Sequence, residues 1–498
     1  TCEAEGLLRL VMRGSGANMA VAPESFDDLG QDDSSSGEIV GAEDDEAVEV
    51  SSGDRLGDVD MPSSSDSPTS RGNSPTSQPQ TSEDGSGLWR LLLTASASAA
   101  TTAVGMALLF TRWIREAAPP ELRYAPSEEN VKLVMAVPLL LRSYIPNVLT
   151  RNGHLASLFG YIKLPSWRHR CDREVVALSD GGTVSVEWFP CRPADGVPVI
   201  LMLPGINNDA AFPYVQHVMR LVLAEGLGTP AAVNWRGLGG LPLSAAGGAT
   251  PKVYCGLGAP DLAEILSHLR RRLPSSPLYA VGWSMGGCIL VRHMAEAGEG
   301  CELRAAMAVS PALDVSAVQR YWQGTPVGRL YGLAIGFKLW LYFLSHRREL
   351  AGGPVSVWRA FLGVFRGYED EVFAPLWGLS GHEEYWRRCS VGEELVLRVA
   401  RPLLVVHARD DPVVPIWSLP LAAMASNPHI VTAITRHGGH IGYTAGATPL
   451  LGAWTDRVLV HYLRAILARE EEREGREQGE MSGSGCRRLP TLCEHSKL

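Results

Sequence analysis

Residues 278–290 read LYAVGWSMGGCIL, an apolar run that ends at Gly282-Trp283-Ser284-Met285-Gly286-Gly287 and then takes on helical character. A strand, a sharp turn carrying serine and a helix packed close behind it constrain this chain more than any other stretch. That corner raises a hydroxyl above the end of a parallel sheet and leaves little room beyond glycine at 282 and 286. Ser284 is the candidate nucleophile. With 52 glycines among 498 residues, the bare Gly-x-Ser-x-Gly pattern is expected about 0.4 times by chance, and a serine in a glycine-rich turn also serves as a plain helix cap. The assignment therefore leans on what precedes and follows it.

Three features supply that context. Residues 401–415, RPLLVVHARDDPVVP, read as a buried strand followed by Asp410-Asp411-Pro412 in a loop. A shorter apolar run, 430–434, leads into Arg436-His437-Gly438-Gly439-His440-Ile441-Gly442, where glycines free the backbone to carry an imidazole over a neighbouring strand end. The order Ser, Asp, His along the chain is that of the α/β-hydrolases. Upstream, residues 197–205 form a strand running into Gly205-Ile206-Asn207-Asn208, where an oxyanion loop belongs. Each residue also has a plainer reading: Asp-Asp-Pro is ordinary turn chemistry, His437 and His440 suit a solvated loop, and Asp314, after the apolar run 305–311, is a second candidate acid. Asp411 is preferred because it stands directly before Pro412-Val413-Val414-Pro415, and His440 because Gly439-His440-Ile441-Gly442 frames it.

The chain resembles the α/β-hydrolase-domain lipases and esterases that include the bacterial YheT-like hydrolases, the plant EMB8-like proteins and the related animal membrane-anchored lipases. The likeness covers about 144–467 and is carried by Asn152-Gly153-His154-Leu155, Asp180-Gly181-Gly182, Glu187-Trp188, Leu203-Pro204-Gly205, Asn234-Trp235-Arg236-Gly237-Leu238-Gly239-Gly240, Asp261-Leu262, the elbow, Asp410-Asp411-Pro412 and Gly439-His440-Ile441-Gly442. It implies Ser284, Asp411 and His440 as a catalytic triad and hydrolysis of carboxylic esters, commonly acylglycerols or phospholipids. Two positions depart from the pattern. Ile206-Asn207-Asn208-Asp209 stands where the family usually has Leu-Thr-Gly-Ser, and Trp235 replaces a histidine. The expected oxyanion donors are the backbone N–H groups of Met285 and Ile206.

The chemistry so read uses no metal and no organic cofactor, and the sequence has no His-Glu-x-x-His, Cys-x-x-Cys or strand-borne Gly-x-Gly-x-x-Gly. A net charge of −9 without a basic, aromatic-rich stripe argues against nucleic acid as a partner. Nine scattered cysteines point to reduced thiols. The expected partners are a lipid ester substrate and a membrane; the oligomeric state is left open.

The expected fold class is α/β, an α/β-hydrolase fold with a mostly parallel sheet, helices on both faces and a helical cap insertion. A hairpin at 175–189 precedes strands at 199–203, 231–235, 278–283, 305–310, 403–407 and 430–435. Helices at 214–225 and 261–271 and one after the elbow lie between them, and another closes the core near 450–467. Four segments follow: an acidic Ser/Gly/Pro-rich stretch at 1–86, too poor in apolar residues to order itself; a single membrane anchor at 88–113, whose core 91–110 carries no charge between flanking tryptophans and arginines; the hydrolase domain at 130–467, with its cap at about 312–400; and a charged tail at 468–498. Because it begins at Thr1, the chain is expected to be a fragment.

Within the cap, residues 330–344 are apolar nearly all round and read either as a lid lining an acyl pocket or as packed core. The anchor implies membrane association, while the terminal Ser496-Lys497-Leu498 gives a peroxisomal address as the alternative. Two other functions use the same fold, acyl transfer to an alcohol and a silent scaffold that binds lipid or a partner. The full Ser284/Asp411/His440 set favours hydrolysis over the silent scaffold.

Overall fold

The computed structural model describes residues 84–115, 117–162, 171–244, 251–351, 353–363, 367–446 and 448–481. Among them, nine strands build one sheet: β1 (Glu121–Tyr124), β2 (Asp172–Ala177), β3 (Thr183–Trp188), β4 (Val199–Leu203), β5 (Thr229–Asn234), β6 (Leu278–Trp283), β7 (Leu303–Val309), β8 (Leu403–Ala408) and β9 (Ile430–Thr435). Their spatial order is β1-β9-β8-β7-β6-β4-β5-β3-β2. The block from β9 to β5 is parallel, and antiparallel pairs finish both edges: β1 on β9, and β3 then β2 beyond β5.

The strands β4, β6, β8 and β9 are short, mostly apolar runs buried along their length, as expected of strands covered on both faces. Successive side chains of β4 feed two separate cores. Val199, Leu201 and Leu203 pack with the helices Ala259–Arg272 and Met285–Ala297, while Ile200 and Met202 pack with Pro213–Ala224 and the closing helix Trp454–Met481. This two-sided burial places the C-terminal ends of the parallel strands, and the loops that leave them, along one rim of the sheet.

The observed boundaries differ from the sequence reading at both ends of the domain. The sheet takes in Glu121–Tyr124, ahead of the expected start at 130, and pairs it in register from Glu121↔Ile434 to Tyr124↔Val431. Four residues with a charge at every second position give no apolar signal, because an edge strand leaves one side in water. The closing helix starts at Trp454, not near 450, and runs to Met481. Between β7 and β8 the described residues form the expected helical insertion: Val315–Gly324, the long cap helix Pro326–Ser345, Val357–Leu362, a π-helical turn Glu369–Phe373, and His382–Cys389 are its main pieces.

The chain divides after Met106. The described part of the first unit begins the helix Asp84–Arg115, 32 residues long, which covers the expected anchor and leaves Leu92, Leu93, Val104, Met106 and Leu108 exposed. Residues 1–83 of the expected disordered segment, and the tail from 482 including Ser496-Lys497-Leu498, lie outside the described residues.

Candidate active site

The turn after β6 holds Ser284 at φ 51° and ψ −118°, a conformation that side chains rarely adopt. Two backbone bonds fix it there: Ser284 N–H donates to Val309 O at 2.9 Å, and Ser284 O accepts from Cys288 N–H at 2.9 Å. The helix Met285–Ala297 can start this close to the sheet only because Gly286 has no side chain, since a Cβ there would lie 2.2 Å from Leu203 O.

The acid comes from the loop after β8. Asp411 is buried; its Oδ1 accepts the N–H groups of Val413 and Val414, both at 2.9 Å, and its Oδ2 accepts His440 Nδ1–H at 2.9 Å. Burial pushes its carboxyl up, but His440 and the neighbouring donors outweigh that and hold it below the ordinary range. With Nδ1 donating, His440 Nε2 is the acceptor, and it lies 2.9 Å from Ser284 Oγ. The three expected residues thus form one continuous hydrogen-bonded line, Ser284 to His440 to Asp411.

The plainer readings of the neighbours also resolve. Asp410 Oδ1 accepts Gly439 N–H at 2.9 Å, and its Oδ2 lies 3.4 Å from His437, so this pair shapes the histidine loop. Asp314 caps the helix Val315–Gly324 through Ala317 N–H.

Sequence reasoning missed what clamps that loop. The helix Gly153–Tyr161 lies against it: His440 N–H donates to Ser157 Oγ at 2.8 Å, and Ser157 in turn donates to Gly153 O at 2.6 Å. Gly439, at φ 57°, accepts this approach because any Cβ would stand 2.3 Å from Gly153 O. His407, fully buried on β8, donates from Nε2 to Val414 O at 2.9 Å and so braces the turn that carries Asp411. The Asn152-Gly153-His154 motif was the available signal for the clamp; its partner lies almost 290 residues away.

Met285 and Ile206 line the same cavity as Ser284. No protein acceptor is found for the backbone N–H of either among the described residues. Lys338 of the long cap helix reaches back to this loop. Its ammonium donates to Tyr161 Oη at 2.8 Å, to Ile206 O at 3.4 Å and to Asn208 Oδ1, and it lies over the rings of Tyr161 and Phe212. Burial pushes this amine down to about 8.

Under the cap the cavity is walled by Val318, Trp322, Ile335, Leu339 and Phe373, and its roof includes Gly332 and Gly336 of the long cap helix. Two buried polar residues, Gln319 and Glu369, also face into it. Burial pushes the Glu369 carboxyl from its ordinary 4.5 up to about 7. Its folded form therefore holds a proton that the unfolded chain releases above 4.5, and the associated stability is lost as pH rises through 7. Glu369→Gln is accordingly expected to raise the melting temperature by a few degrees above pH 7 and to change it little near pH 4, as thermal melts across that range would read.

Among the described residues, the long cap helix is the one whose length and composition would allow a membrane span. Here it packs Gly328, Gly332, Gly336, Leu339 and Phe343 inward and exposes Leu330, Leu333, Phe337 and Leu341.

No family model matches the chain. Among curated proteins it is similar to the embryogenesis-associated protein EMB8 of Picea glauca, 28% identical over 63% of this chain and 70% of that protein. It is also similar to human phospholipase ABHD3, 26% identical over 67% and 82%, and to a Danio rerio monoacylglycerol lipase ABHD2, 26% identical over 72% and 85%. Among solved structures, a Pyrococcus furiosus esterase aligns at TM-score 0.38 and 16% identity over 59% of this chain and 91% of that one. By strand order, elbow geometry and sequence likeness together, the chain is an α/β-hydrolase-fold relative of the EMB8-like and ABHD2/ABHD3 abhydrolase-domain proteins.

Proposed function

We propose that this chain is a serine hydrolase of carboxylic esters, acting on acyl esters of lipids through an acyl-enzyme on Ser284. The observation that carries the reading is the unbroken line from Asp411 through His440 to Ser284 at the mouth of an apolar cavity. His440 Nε2 takes the hydroxyl proton as Ser284 Oγ attacks the ester carbonyl, and Asp411 holds the ring in the tautomer that leaves Nε2 free and stabilises the imidazolium. The proton passes to the departing alcohol. Water then enters, is deprotonated by the same nitrogen and releases the acid. The N–H groups of Met285 and Ile206 serve the oxyanion, and losing one such donor typically costs about 3–4 kcal/mol of barrier.

Lipid as the substrate class is supported by the apolar walls of the cavity and by the lipase and phospholipase names of the relatives. A fluorophosphonate probe tests the nucleophile: it is expected to label the wild type and not Ser284→Ala, and labelling that persists in the alanine variant would sink the assignment.

In this reading, residues 88–113 anchor the chain, 130–467 carry the chemistry with the cap at about 312–400, and the exposed apolar face of the cap meets the lipid surface. Leu330, Leu333, Phe337 and Leu341 form one stripe of that face, and Trp358 and Leu362 stand exposed on the next cap helix. Burying one such side chain is worth about 1.5–3 kcal/mol. Replacing both Leu333 and Phe337 by serine is therefore expected to lower the rate on phospholipid vesicles about tenfold or more relative to the rate on a soluble short-chain ester. An unchanged ratio would remove this face from the reading.

A further inference from the structure

The cavity that opens at Ser284 is built for hydrocarbon along Val318, Trp322, Leu339 and Phe373, yet two polar side chains interrupt it. Gln319 comes from the helix Val315–Gly324 and Glu369 from the π-helical turn, a kind of distortion that often marks a functional position. They are 7% and 5% exposed. Gln319 Nε2 donates to Glu369 Oε1 at 2.9 Å, and Trp386 Nε1 lies 3.4 Å from the same oxygen. Among the described residues, the two remaining oxygens, Gln319 Oε1 and Glu369 Oε2, have no protein partner. Buried polar atoms left unpaired are costly, and a pair of them on side chains that line a pocket stabilises nothing in the empty protein.

We propose that Gln319 and Glu369 form a subsite for a hydroxyl group carried on the acyl chain, so that the preferred esters are those of hydroxylated fatty acids. The inference rests on the reading that Ser284 is acylated and that the chain lies in this cavity. A hydroxyl is the small group that answers both free oxygens: it donates its own proton to Gln319 Oε1 and accepts one from the acid form of Glu369 at Oε2. Burial, which favours that acid form, leaves a proton available on Glu369 up to about neutral pH. An unsubstituted methylene chain leaves both oxygens unpaired, and sites that pair a substrate hydroxyl discriminate against the analogue lacking it far more than sites that merely contact a methylene. The hydroxyl must sit at one position along the chain, because the pair is fixed at one depth in the wall.

The test uses the full chain and p-nitrophenyl esters of a single chain length, one plain and the others bearing one hydroxyl moved carbon by carbon. The wild type is expected to favour one hydroxyl position over the plain ester by about tenfold or more in kcat/KM. Gln319→Leu and Glu369→Leu are each expected to bring that ratio to about one or below. Each protein is referred to its own rate on the plain ester, so differences in folded fraction cancel, and the positional preference of the wild type decides the matter even if a variant fails to fold. Hydrolysis of plain esters with no position preferred, or a preference that survives both substitutions, overturns the subsite and leaves the hydrolase standing. Absence of turnover on every ester, together with no fluorophosphonate labelling of Ser284, overturns the hydrolase reading and the subsite with it.

Discussion

Ester turnover by Ser284→Ala is expected to fall by about five orders of magnitude or more while the protein stays folded. The alanine removes the oxygen proposed to attack but leaves the strained turn, whose φ of 51° is held by backbone bonds to Val309 and from Cys288 and owes nothing to the hydroxyl. His440→Ala is expected to cost a similar amount, and the double variant little more than either alone, because the proton acceptor has no task without its donor. Steady-state rates on a soluble ester, with the probe as a check on the wild type, would read all three. Additive losses would mean that the two side chains do not act as a unit.

The second large effect concerns stability. Arg236 and Asp261 are 2% and 3% exposed and meet through two short bonds, Nε to Oδ2 at 2.6 Å and Nη2 to Oδ1 at 2.7 Å. A further bond from Nη2 reaches Asp180 at 3.0 Å. Arg236→Met would strand the Asp261 carboxylate in the interior, and breaking a buried pair from one side costs about 3–5 kcal/mol. Arg236→Met combined with Asp261→Leu is expected to cost less than Arg236→Met alone, since no uncompensated charge remains. Urea denaturation of the two variants would show the order. The damage should extend to the cap, because Arg236 O accepts Tyr342 Oη–H at 2.8 Å and the next carbonyl, Gly237 O, is bonded to His346 at 2.7 Å.

What the sequence discloses here is what is encoded locally. The elbow, the acid loop and the glycine-framed histidine each announce themselves within a dozen residues, because a strained turn, a strand end and a mobile-backbone loop demand particular residue types at fixed spacing. The same holds for the parallel strands, whose burial on both faces writes a mostly apolar run. Contacts that depend on where distant segments land leave no such mark. Ser157 reads as an ordinary helix residue until the loop 283 positions later settles on it. Lys338 reads as a lone charge in an apolar helix, yet it reaches the loop of Ile206 and Asn208. Gln319 and Glu369 carry no local signal of enclosure, yet both are buried and line the cavity. Glu121–Tyr124 escapes for the opposite reason, since an edge strand half in water has no pattern to show.

Gly332 and Gly336, one turn apart along the roof of the chamber, have a consequence for which molecules fit inside. At 336 a single carbon would already crowd the Tyr368 ring at 3.1 Å, so the bore is set here by atoms that are missing. A methyl at 336 would press on a ring that itself lines the chamber, so the width there depends on this position carrying no side chain.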